Sequence, residues 1–374
     1  MRKKKVVHLI AAARPNFMKV APLYHALAKT DWCDPQIVHT GQHYDFNMSD
    51  AFFRDLGLPA PQFNLGVGSG THAEQTGRVM IAYEKVCDAK RPDWIVVVGD
   101  VNSTAACAMV GTKLWIPVVH LEAGLRSGDR RMPEEINRLV TDAIADVLWT
   151  PSVDANQNLL AEGIPESKID LIGNIMIDSF ELLRMNIESS QSREKLGLMN
   201  LQYALLTLHR PSNVDNKNSL AAIIASLEQI SLNLRLVFVS HPRTMKNLKQ
   251  FGLEDRLTNL SNVDLLMPLP YIDFMNVVIG AAMVITDSGG LQEETTYLGI
   301  PCLTMRENTE RPLTVSLGTN ALVGASDLPS QVNKILSGNW KKGACPPLWD
   351  GHTADRAVSS LERRSLEHVR ARGV

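Results

Sequence analysis

A glycine pair flanked by polar side chains is the clearest sign of chemistry in this chain of 374 residues. The run Thr286-Asp-Ser-Gly-Gly290 follows an apolar stretch that is typical of a buried strand, and a helical pattern follows it. Glycine has no Cβ, so phosphate oxygens can approach the backbone N–H groups of such a turn, and the helix dipole favours an anion there. We therefore expect Ser288, Gly289 and Gly290 to bind phosphate, and Glu294, one turn into the helix, to accept hydrogen bonds from ribose hydroxyls.

Acidic side chains follow two other predicted strands. Asp100 comes directly after the strand Trp94–Gly99, and Glu122 directly after the strand Pro117–Leu121, with Glu134 a few residues further on. Carboxylates that converge on one substrate can have their pKa values pushed apart, so that one acts as an acid and another as a base. These three residues are candidate catalytic groups; a surface network of ion pairs is the alternative interpretation.

Cations and a histidine complete the set of candidate residues. Side chains of this kind near helix starts and strand ends suit an anionic substrate. His209 follows a strand of the second half of the chain and can act as a general acid, a general base or a phosphate ligand. The cations are Arg14, Lys19, Arg138, Arg210 and Arg311.

Short β-branched runs alternate with helical patterns along the chain, which is typical of parallel sheets covered on both faces. Two such series, separated by the polar stretch Glu188–Met199, predict an α/β protein with two Rossmann-like doubly wound domains. We expect an N-terminal domain at 1–173, a C-terminal domain at 174–354 and a final helix at 355–374 that packs back on the first domain. Ligands bind beyond the carboxyl ends of such strands, so the expected site is the cleft between the domains. The predicted strands are Val6–Ala12, Trp94–Gly99, Pro117–Leu121, Val147–Thr150, Ile169–Ile172, Ala204–Leu208, Leu234–Ser240, Val263–Met267, Met283–Thr286 and Pro301–Met305.

Composition excludes several classes of protein. A net charge of −2 with 45% apolar and 21% charged residues suits a compact enzyme and not a basic nucleic-acid binder. No apolar run approaches the ~20 residues of a membrane span. The basic and then apolar N-terminus has the layout of a short signal peptide, but a first buried strand explains it better. Five scattered cysteines without a C-x-x-C pair predict neither a zinc site nor a disulfide framework, and fit a reducing cytoplasm.

Sequence motifs for other enzyme classes are missing. The sequence contains no G-x-x-x-x-G-K-[ST] loop, no H-E-x-x-H pair and no G-x-S-x-G elbow. The run Gly66-Val-Gly-Ser-Gly70 lacks the spacing of a dinucleotide fingerprint. Neither a metal nor a nicotinamide cofactor is predicted.

Together these residues resemble the non-hydrolysing UDP-N-acetylglucosamine 2-epimerase family over nearly the whole chain. The order and spacing of the shared motifs make chance agreement implausible. The motifs are Arg14-Pro15 with Lys19, Gly41-Gln-His43, Gly99-Asp100, His120-Leu-Glu-Ala-Gly-Leu-Arg126, Pro133-Glu-Glu-Ile-Asn-Arg138, Gly173-Asn174, His209-Arg210, Asp287-Ser-Gly-Gly-Leu-Gln-Glu-Glu294 and Thr309-Glu-Arg-Pro312.

The resemblance implies a glycosyltransferase-B arrangement of the two domains and a homodimer that serves polysaccharide biosynthesis. It implies that Arg14 helps the Ser288–Gly290 turn to hold the diphosphate, and that Phe274 stacks on the uracil. Asp100, Glu122 and Glu134 would be the catalytic carboxylates, and His209 would contact the diphosphate or the sugar. The implied reaction expels UDP to form a 2-acetamidoglucal and then adds UDP back with the proton on the other face.

Several positions depart from the family pattern. Asn16 replaces a usual glutamate, the loop between Asp129 and Pro133 is short, and the stretch Gln42–Asp50 lacks the second glutamine of the family's activator site. The exact sugar and the presence of an activating second site are therefore open. The alternatives are an epimerase of a modified sugar such as UDP-2,3-diacetamido-glucuronic acid, a hydrolysing epimerase, a glycosyltransferase of the same fold and a nucleotide-sugar-binding regulator.

Overall fold

The computed structural model describes residues 4–41 and 53–371; the side chains of Arg14 and of residues 368–371 lie outside that description. The chain folds as two compact units. Unit 1 comprises Met1–Leu182 together with Pro347–Val374, and unit 2 comprises Leu183–Pro346. Among the described residues, no helix has the length and apolar character needed to cross a membrane.

The centre of unit 1 is a parallel sheet of seven described strands. Its spatial order is β3-β2-β1-β4-β5-β6-β7, the order of a doubly wound Rossmann-like sheet. The central strands are buried throughout and rich in valine, which suits a sheet with both faces covered. The strands are β1 Lys5–Ala11, β2 Cys33–His39, β3 Phe63–Asn64, β4 Trp94–Val98, β5 Val118–Leu121, β6 Val147–Thr150 and β7 Ile169–Leu171.

Helices connect these strands, and several begin at clear start signals. Pro133 stands at the start of one helix, and Thr71 caps another in a reciprocal arrangement with Glu74. The helices are α1 Arg14–Ala28, α2 His72–Ala89, α3 Asn102–Lys113, α4 Pro133–Ile144, α5 Val153–Ala161 and α6 Ile175–Ser189.

Unit 2 repeats the same topology with six described strands. The spatial order is β10-β9-β8-β11-β12-β13, and every pairing between described strands in both units is parallel. The strands are β8 Tyr203–Thr207, β9 Arg235–Val239, β10 Val263–Leu266, β11 Met283–Thr286, β12 Cys302–Thr304 and β13 Asn320–Leu322. The helices are α7 Ser192–Lys195, α8 Pro211–Val214, α9 Lys217–Ser231, α10 Pro242–Phe251, α11 Glu254–Thr258, α12 Tyr271–Ile279, α13 Gly289–Leu298, α14 Pro312–Ser316 and α15 Leu328–Leu336; α16 Thr353–Ala371 returns to unit 1.

The predicted α/β class and doubly wound sheets are confirmed, and all ten predicted strands are present within two residues of their predicted ends. Strands β2, β3 and β13 were not predicted. Asp34 and Pro35 lie inside β2, and proline normally argues against a central strand. Strands β3 and β13 are two and three residues long, too short for a hydrophobic pattern to register.

The unit boundaries in the structure differ from the predicted ends at 173 and 354. The first turns of α6 belong to unit 1, because Ser179 Oγ donates to the Met18 carbonyl (2.5 Å) and Asp178 Oδ1 accepts from the Ala354 amide (2.7 Å). The chain has returned to unit 1 by Trp349, whose indole N–H donates to the Pro151 carbonyl. Hydrogen bonds between residues far apart in sequence set both boundaries.

Helix α16 packs against the rest of unit 1. The buried Trp149 of β6 donates its indole N–H to Ser360 Oγ (2.8 Å), and Ser360 in turn donates to Asp170 Oδ2 (2.7 Å). Leu361 is fully buried, whereas Leu366 on the same helix is 49% exposed. The C-terminal residues therefore complete the core of the N-terminal unit.

We predict that Leu361→Ala lowers the free energy of unfolding of unit 1 by about 2–5 kcal/mol, because it leaves a cavity in that core. Leu366→Ala, on the exposed part of the helix, should change it by less than about 0.5 kcal/mol. Urea unfolding followed by circular dichroism measures both. Equal losses in the two variants would mean that α16 contributes no core to unit 1.

Candidate active site

Candidate residues follow the strands between which the strand order of each sheet reverses. In unit 1 this point lies between β1 and β4, and in unit 2 between β8 and β11. Ligands of doubly wound sheets bind at the carboxyl ends of the strands at such points. The loop after β4 carries Asp100, and the loops after β8 and β11 carry His209 and Asp287.

Glu122 and Lys19 form a buried ion pair in unit 1. Lys19 Nζ contacts Glu122 Oε2, and the two side chains are 11% and 4% exposed. The other carboxylate oxygen, Glu122 Oε1, is buried and has no hydrogen-bond partner among the described residues. A buried oxygen without a partner is costly, so this atom is suited to meet a ligand or a proton.

Asp100 is held by an arginine that also binds a second carboxylate. Arg138 Nη2 donates to Asp100 Oδ2 (2.6 Å), and Arg138 Nη1 donates to Glu135 Oε2 (2.7 Å). Glu135 also accepts from Ser127 and from the Gly128 amide. Burial raises the pKa of Glu135, but these hydrogen bonds and the charge of Arg138 outweigh that effect and lower it below the ordinary value.

Gly99 directly precedes Asp100 and lies beside the Lys19–Glu122 pair. Its φ is +68°, and a Cβ there would lie 3.4 Å from Lys19 Nζ and 3.5 Å from Glu122 Oε2. Asp100 therefore follows a glycine at which a side chain would crowd the ion pair of Glu122. The third predicted carboxylate, Glu134, is half-buried in the first turn of α4, next to Glu135.

Asp287 organises the loops of unit 2. Its carboxylate accepts hydrogen bonds from the His209 amide, the Arg210 amide and Asn213 Nδ2 at 2.9–3.0 Å. Its Oδ1 also lies 3.0 Å from His209 Nδ1. Burial raises the pKa of Asp287, but His209, Asn213 and the Arg210 amide outweigh burial and lower it. The ionised carboxylate fixes the His209 ring through Nδ1 and leaves Nε2 for a ligand.

The glycine turn of unit 2 lies against a buried charge network. A Cβ at Gly289 would lie 2.8 Å from Arg311 Nη1, so glycine allows this arginine to approach the turn. Arg311 Nε forms an ion pair with Glu293 at 2.9 Å, and Glu310 is held by Arg306 at 2.8 Å. By contrast, a Cβ at Gly290 would meet nothing within 4 Å, so the space beside this glycine is open.

Glu294 is buried and receives a hydrogen bond from Tyr271 Oη at 2.6 Å. Burial raises the pKa of Glu294 to about 7; the Tyr271 hydrogen bond lowers it and the neighbouring Glu293 raises it. The carboxylate that was expected to accept from a ribose therefore titrates near neutral pH.

The remaining candidates have simpler surroundings. Phe274 is half-buried on α12, and Ser288 is half-buried directly before α13. Arg210 is half-buried, with an Nε that has no partner among the described residues. The side chain of Arg14 and the whole stretch Gln42–Asp50 lie outside the described residues. Within the described ranges, no group of three His, Cys, Asp or Glu residues is arranged to hold a metal.

Several residues that shape the site were not predicted. Glu135, Glu293 and Tyr271 position predicted residues through the contacts above. Asp142 and His120 lie beneath the loops that carry Asp100 and Glu122. His120, Glu135 and Glu293 stand inside the motifs quoted above, and this was the sequence signal that could have identified them. Asp142 lies in an ordinary helical pattern, which gives no such signal.

Comparison with known proteins identifies the family of this chain. A family model described as UDP-N-acetylglucosamine 2-epimerase matches residues 25–362. The UDP-N-acetylglucosamine 2-epimerase of Methanocaldococcus jannaschii is 43% identical over 94% of this chain and 98% of its own length. This chain belongs to the UDP-N-acetylglucosamine 2-epimerase family. The resemblance predicted from the motifs is confirmed.

Solved structures of this epimerase family share the fold. The M. jannaschii UDP-GlcNAc 2-epimerase in complex with UDP-GlcNAc and UDP has a TM-score of 0.87, with 96% of this chain and 99% of that chain covered. The Neisseria meningitidis UDP-GlcNAc 2-epimerase bound to UDP-GlcNAc has the same TM-score at 26% identity, with 96% of this chain and 100% of that chain covered. A further relative is the UDP-2,3-diacetamido-2,3-dideoxy-D-glucuronate 2-epimerase of Pseudomonas aeruginosa, 38% identical over 85% of this chain and 88% of its own length.

The raised pKa of Glu294 predicts a pH-dependent stability for unit 2. Below pH 4.5, the ordinary pKa of a glutamate, Glu294 is protonated in both the folded and the unfolded state, and its contribution to the free energy of unfolding is complete. As the pH rises to about 7, the unfolded state loses this proton first, and the contribution to stability is lost. Glu294→Gln should remove this term, roughly 3 kcal/mol at full extent.

Urea unfolding at pH 4.5 and pH 8 measures how much the free energy of unfolding changes with pH in the wild type and in the variant. The difference between the two changes is the contribution of Glu294. Glu228→Gln is a matched control in the same unit, because the hydrogen bond from Arg256 lowers the pKa of Glu228. If Glu294→Gln keeps the wild-type pH dependence, Glu294 is not the group responsible.

Proposed function

We propose that this chain interconverts UDP-N-acetylglucosamine and UDP-N-acetylmannosamine at carbon 2. The observation that carries the proposal is the pair of acidic groups at one sheet edge of unit 1: Asp100, and Glu122 with its buried, unpartnered oxygen. Its membership of the epimerase family supports the same reaction.

Unit 2 supplies the residues for the UDP moiety. The diphosphate approaches the Ser288–Gly290 turn, near Arg311 and beside the open space at Gly290, where the helix N-terminus favours negative charge. Glu294 accepts from the ribose hydroxyls, and Phe274 stacks on the uracil. One solved structure with this fold is a complex with UDP-GlcNAc and UDP, and another is bound to UDP-GlcNAc, which supports this ligand class.

Proton transfer is the work of the carboxylates. Carbon 2 is not next to a carbonyl, so its proton is too weakly acidic for simple removal and return. A carboxylate takes that proton as the bond from carbon 1 to the UDP oxygen breaks, the electron pair of the C–H bond forms the C1=C2 double bond, and UDP leaves with the electrons of the broken bond. UDP then adds back to carbon 1 while another acid delivers a proton to carbon 2 on the opposite face. Two faces require more than one acid–base group, and Asp100, Glu122 and Glu134 provide them.

Expulsion of UDP requires charge stabilisation at the diphosphate. His209 is suited to this step, because Asp287 holds its Nδ1 side and leaves Nε2 for a phosphate or sugar oxygen. Arg14, Lys19, Arg138 and Arg210 are the further cations that we assign to the substrate. Lys19 and Arg138 act on the substrate through the carboxylates that they hold, Glu122 and Asp100. The proposed reaction uses neither a metal nor a nicotinamide.

A second candidate substrate is a UDP-2,3-diacetamido-glucuronate. The Pseudomonas aeruginosa relative with that name is 38% identical to this chain, which favours the candidate over other modified sugars. The same carboxylates and the same UDP-binding turn would serve it, because the chemistry at carbons 1 and 2 is unchanged.

We also propose a cytoplasmic homodimer that feeds polysaccharide biosynthesis. The buried thiols of Cys33, Cys87, Cys107 and Cys302 are compatible with a reducing compartment. Light scattering of the purified protein tests the dimer.

The decisive experiment is proton NMR of the enzyme with UDP-N-acetylglucosamine in deuterated water. We expect deuterium at carbon 2 and a gluco/manno mixture of intact UDP-sugars. Free N-acetylmannosamine with UDP would instead establish the hydrolysing reaction. Sugar transfer to an added acceptor would establish a glycosyltransferase. An unchanged spectrum with this sugar, but exchange with the diacetamido-uronate, would assign the second candidate. Binding of both without turnover would leave a nucleotide-sugar-binding protein.

Variants should separate catalysis from binding. Asp100→Asn, Glu122→Gln and Glu134→Gln should each lower kcat by at least about 100-fold, the scale of general acid–base catalysis, while the Kd for UDP stays within twofold. Gly290→Ala should instead weaken the binding of UDP, because the added methyl group occupies open space at the turn without disturbing the fold. Its Kd for UDP should rise by at least tenfold with unchanged unfolding behaviour. Loss of UDP binding in all three carboxylate variants would make those residues structural.

A further inference from the structure

A buried histidine and a buried aspartate lie beneath the two loops that carry Asp100 and Glu122. His120 of β5 and Asp142 of α4 are 0% and 1% exposed, and His120 Nδ1 lies 2.6 Å from Asp142 Oδ1. On its other side, His120 Nε2 lies 2.8 Å from the carbonyl oxygen of Gly99. The pair thus extends from the last turn of α4 to the residue directly before Asp100.

The hydrogen bonds fix the orientation of this pair. A carbonyl oxygen only accepts, so His120 Nε2 carries the proton that it donates to Gly99. Asp142 Oδ2 accepts from the Gly124 amide (3.1 Å) and pairs with Arg126 Nη1 (2.7 Å). Burial raises the pKa of Asp142, but His120 and Arg126 outweigh burial and lower it.

Asp142 reaches both catalytic loops. Through His120 it holds the Gly99 carbonyl, and through Oδ2 it holds the amide of Gly124, two residues after Glu122. Further charges around the pair are Arg126, which also binds Glu162, and the Lys19–Glu122 pair next to Gly99.

Both loops adopt backbone conformations that need such support. Gly99, Glu122 and Gly124 all have positive φ, at +68°, +73° and +80°. For Glu122, a residue with a full side chain, this conformation is unfavourable and persists only where the surroundings enforce it. The Gly124 backbone also lies close against the Ala155 carbonyl, so the loop has little freedom to shift in that direction.

We propose that Asp142 and His120 are positioning residues for the epimerase reaction: their buried hydrogen bonds hold the loops of Asp100 and Glu122 in the geometry that proton transfer requires. The inference rests on the proposed function, because it presumes that those two carboxylates act on a substrate. The pair does not touch the substrate, and it acts through the backbone of Gly99 and Gly124. A displacement of about 1 Å at reacting groups costs about 100-fold in rate, so loss of the pair should be visible in kcat.

The test compares Asp142→Ala with Asp142→Asn. Alanine removes both links, whereas asparagine can donate to a neutral His120 through Nδ2 and accept from the Gly124 amide through Oδ1. We expect kcat to fall by about 100-fold in Asp142→Ala, with the Kd for UDP within twofold of wild type, and to recover at least tenfold in Asp142→Asn. Asp170→Ala is the matched control, because this carboxylate of unit 1 binds Ser360, Arg363 and Arg364 and neither catalytic loop. Its kcat should stay within threefold of wild type.

A second pair of variants keeps the test valid if Asp142→Ala does not fold. His120→Asn retains a donor toward Asp142 but withdraws the one toward Gly99, whereas His120→Gln reaches toward Gly99. We expect His120→Asn to have the lower kcat by at least tenfold. Equal activity in both members of either pair would overturn the positioning role, as would wild-type kcat in Asp142→Ala.

Nitrogen NMR of protein labelled with [15N]histidine reads the same geometry without turnover. The wild type should show one histidine whose Nε2 proton exchanges slowly with water, because His120 is buried and donates to the Gly99 carbonyl, and Asp142→Ala should lose this protection. Its absence from the wild type would overturn the hydrogen bond to Gly99. If the wild type epimerises no UDP-sugar, the proposed function fails; if it does and the variants keep its kcat, only the positioning role fails.

Discussion

The constraint on which the site depends is the parallel pairing of the strands. Parallel strands all end at the same edge of a sheet, so the residues that follow them are brought together although they are far apart in sequence. In unit 1 this places Gly99 after β4 against Glu122 after β5 and Lys19 on α1. In unit 2 it places His209 after β8 against Asp287 after β11.

Charge burial is the second requirement. A buried ion is costly without a partner, and the two ion-paired carboxylates of the catalytic set in unit 1 have cationic partners: Lys19 for Glu122 and Arg138 for Asp100. These ion pairs hold the carboxylates in fixed positions. The carboxylates are therefore preorganised, and rearrangement during the reaction is kept small. The same principle operates in unit 2, where Glu293 holds Arg311 beside the glycine turn.

The two units use one topology for different chemistry. Unit 1 has acidic residues at its strand ends, with a glycine beside the Lys19–Glu122 ion pair. Unit 2 has a glycine turn at a helix N-terminus, together with a histidine fixed by a buried aspartate. This division follows a general property of doubly wound folds, in which the sheet provides a rigid frame and the loops after its strands provide the function.

From the sequence alone, the α/β class, ten strands and the family could be predicted, because buried parallel strands are continuous apolar runs and the motifs keep their order and spacing. The candidate residues at strand ends followed from the same pattern. Strand β2 could not be predicted, since Asp34 and Pro35 are unusual inside a strand. The unit boundaries could not be predicted either, because they depend on hydrogen bonds from Ser179 and Trp349 to distant residues.

The partner of each charged side chain could not be predicted from the sequence. Asp142 looks like any acidic residue of an amphipathic helix, and only the tertiary structure places it against His120 and the Gly124 amide. Sequence determines which residues are available at each strand end, but the contacts among them arise from the packing of elements that are distant along the chain.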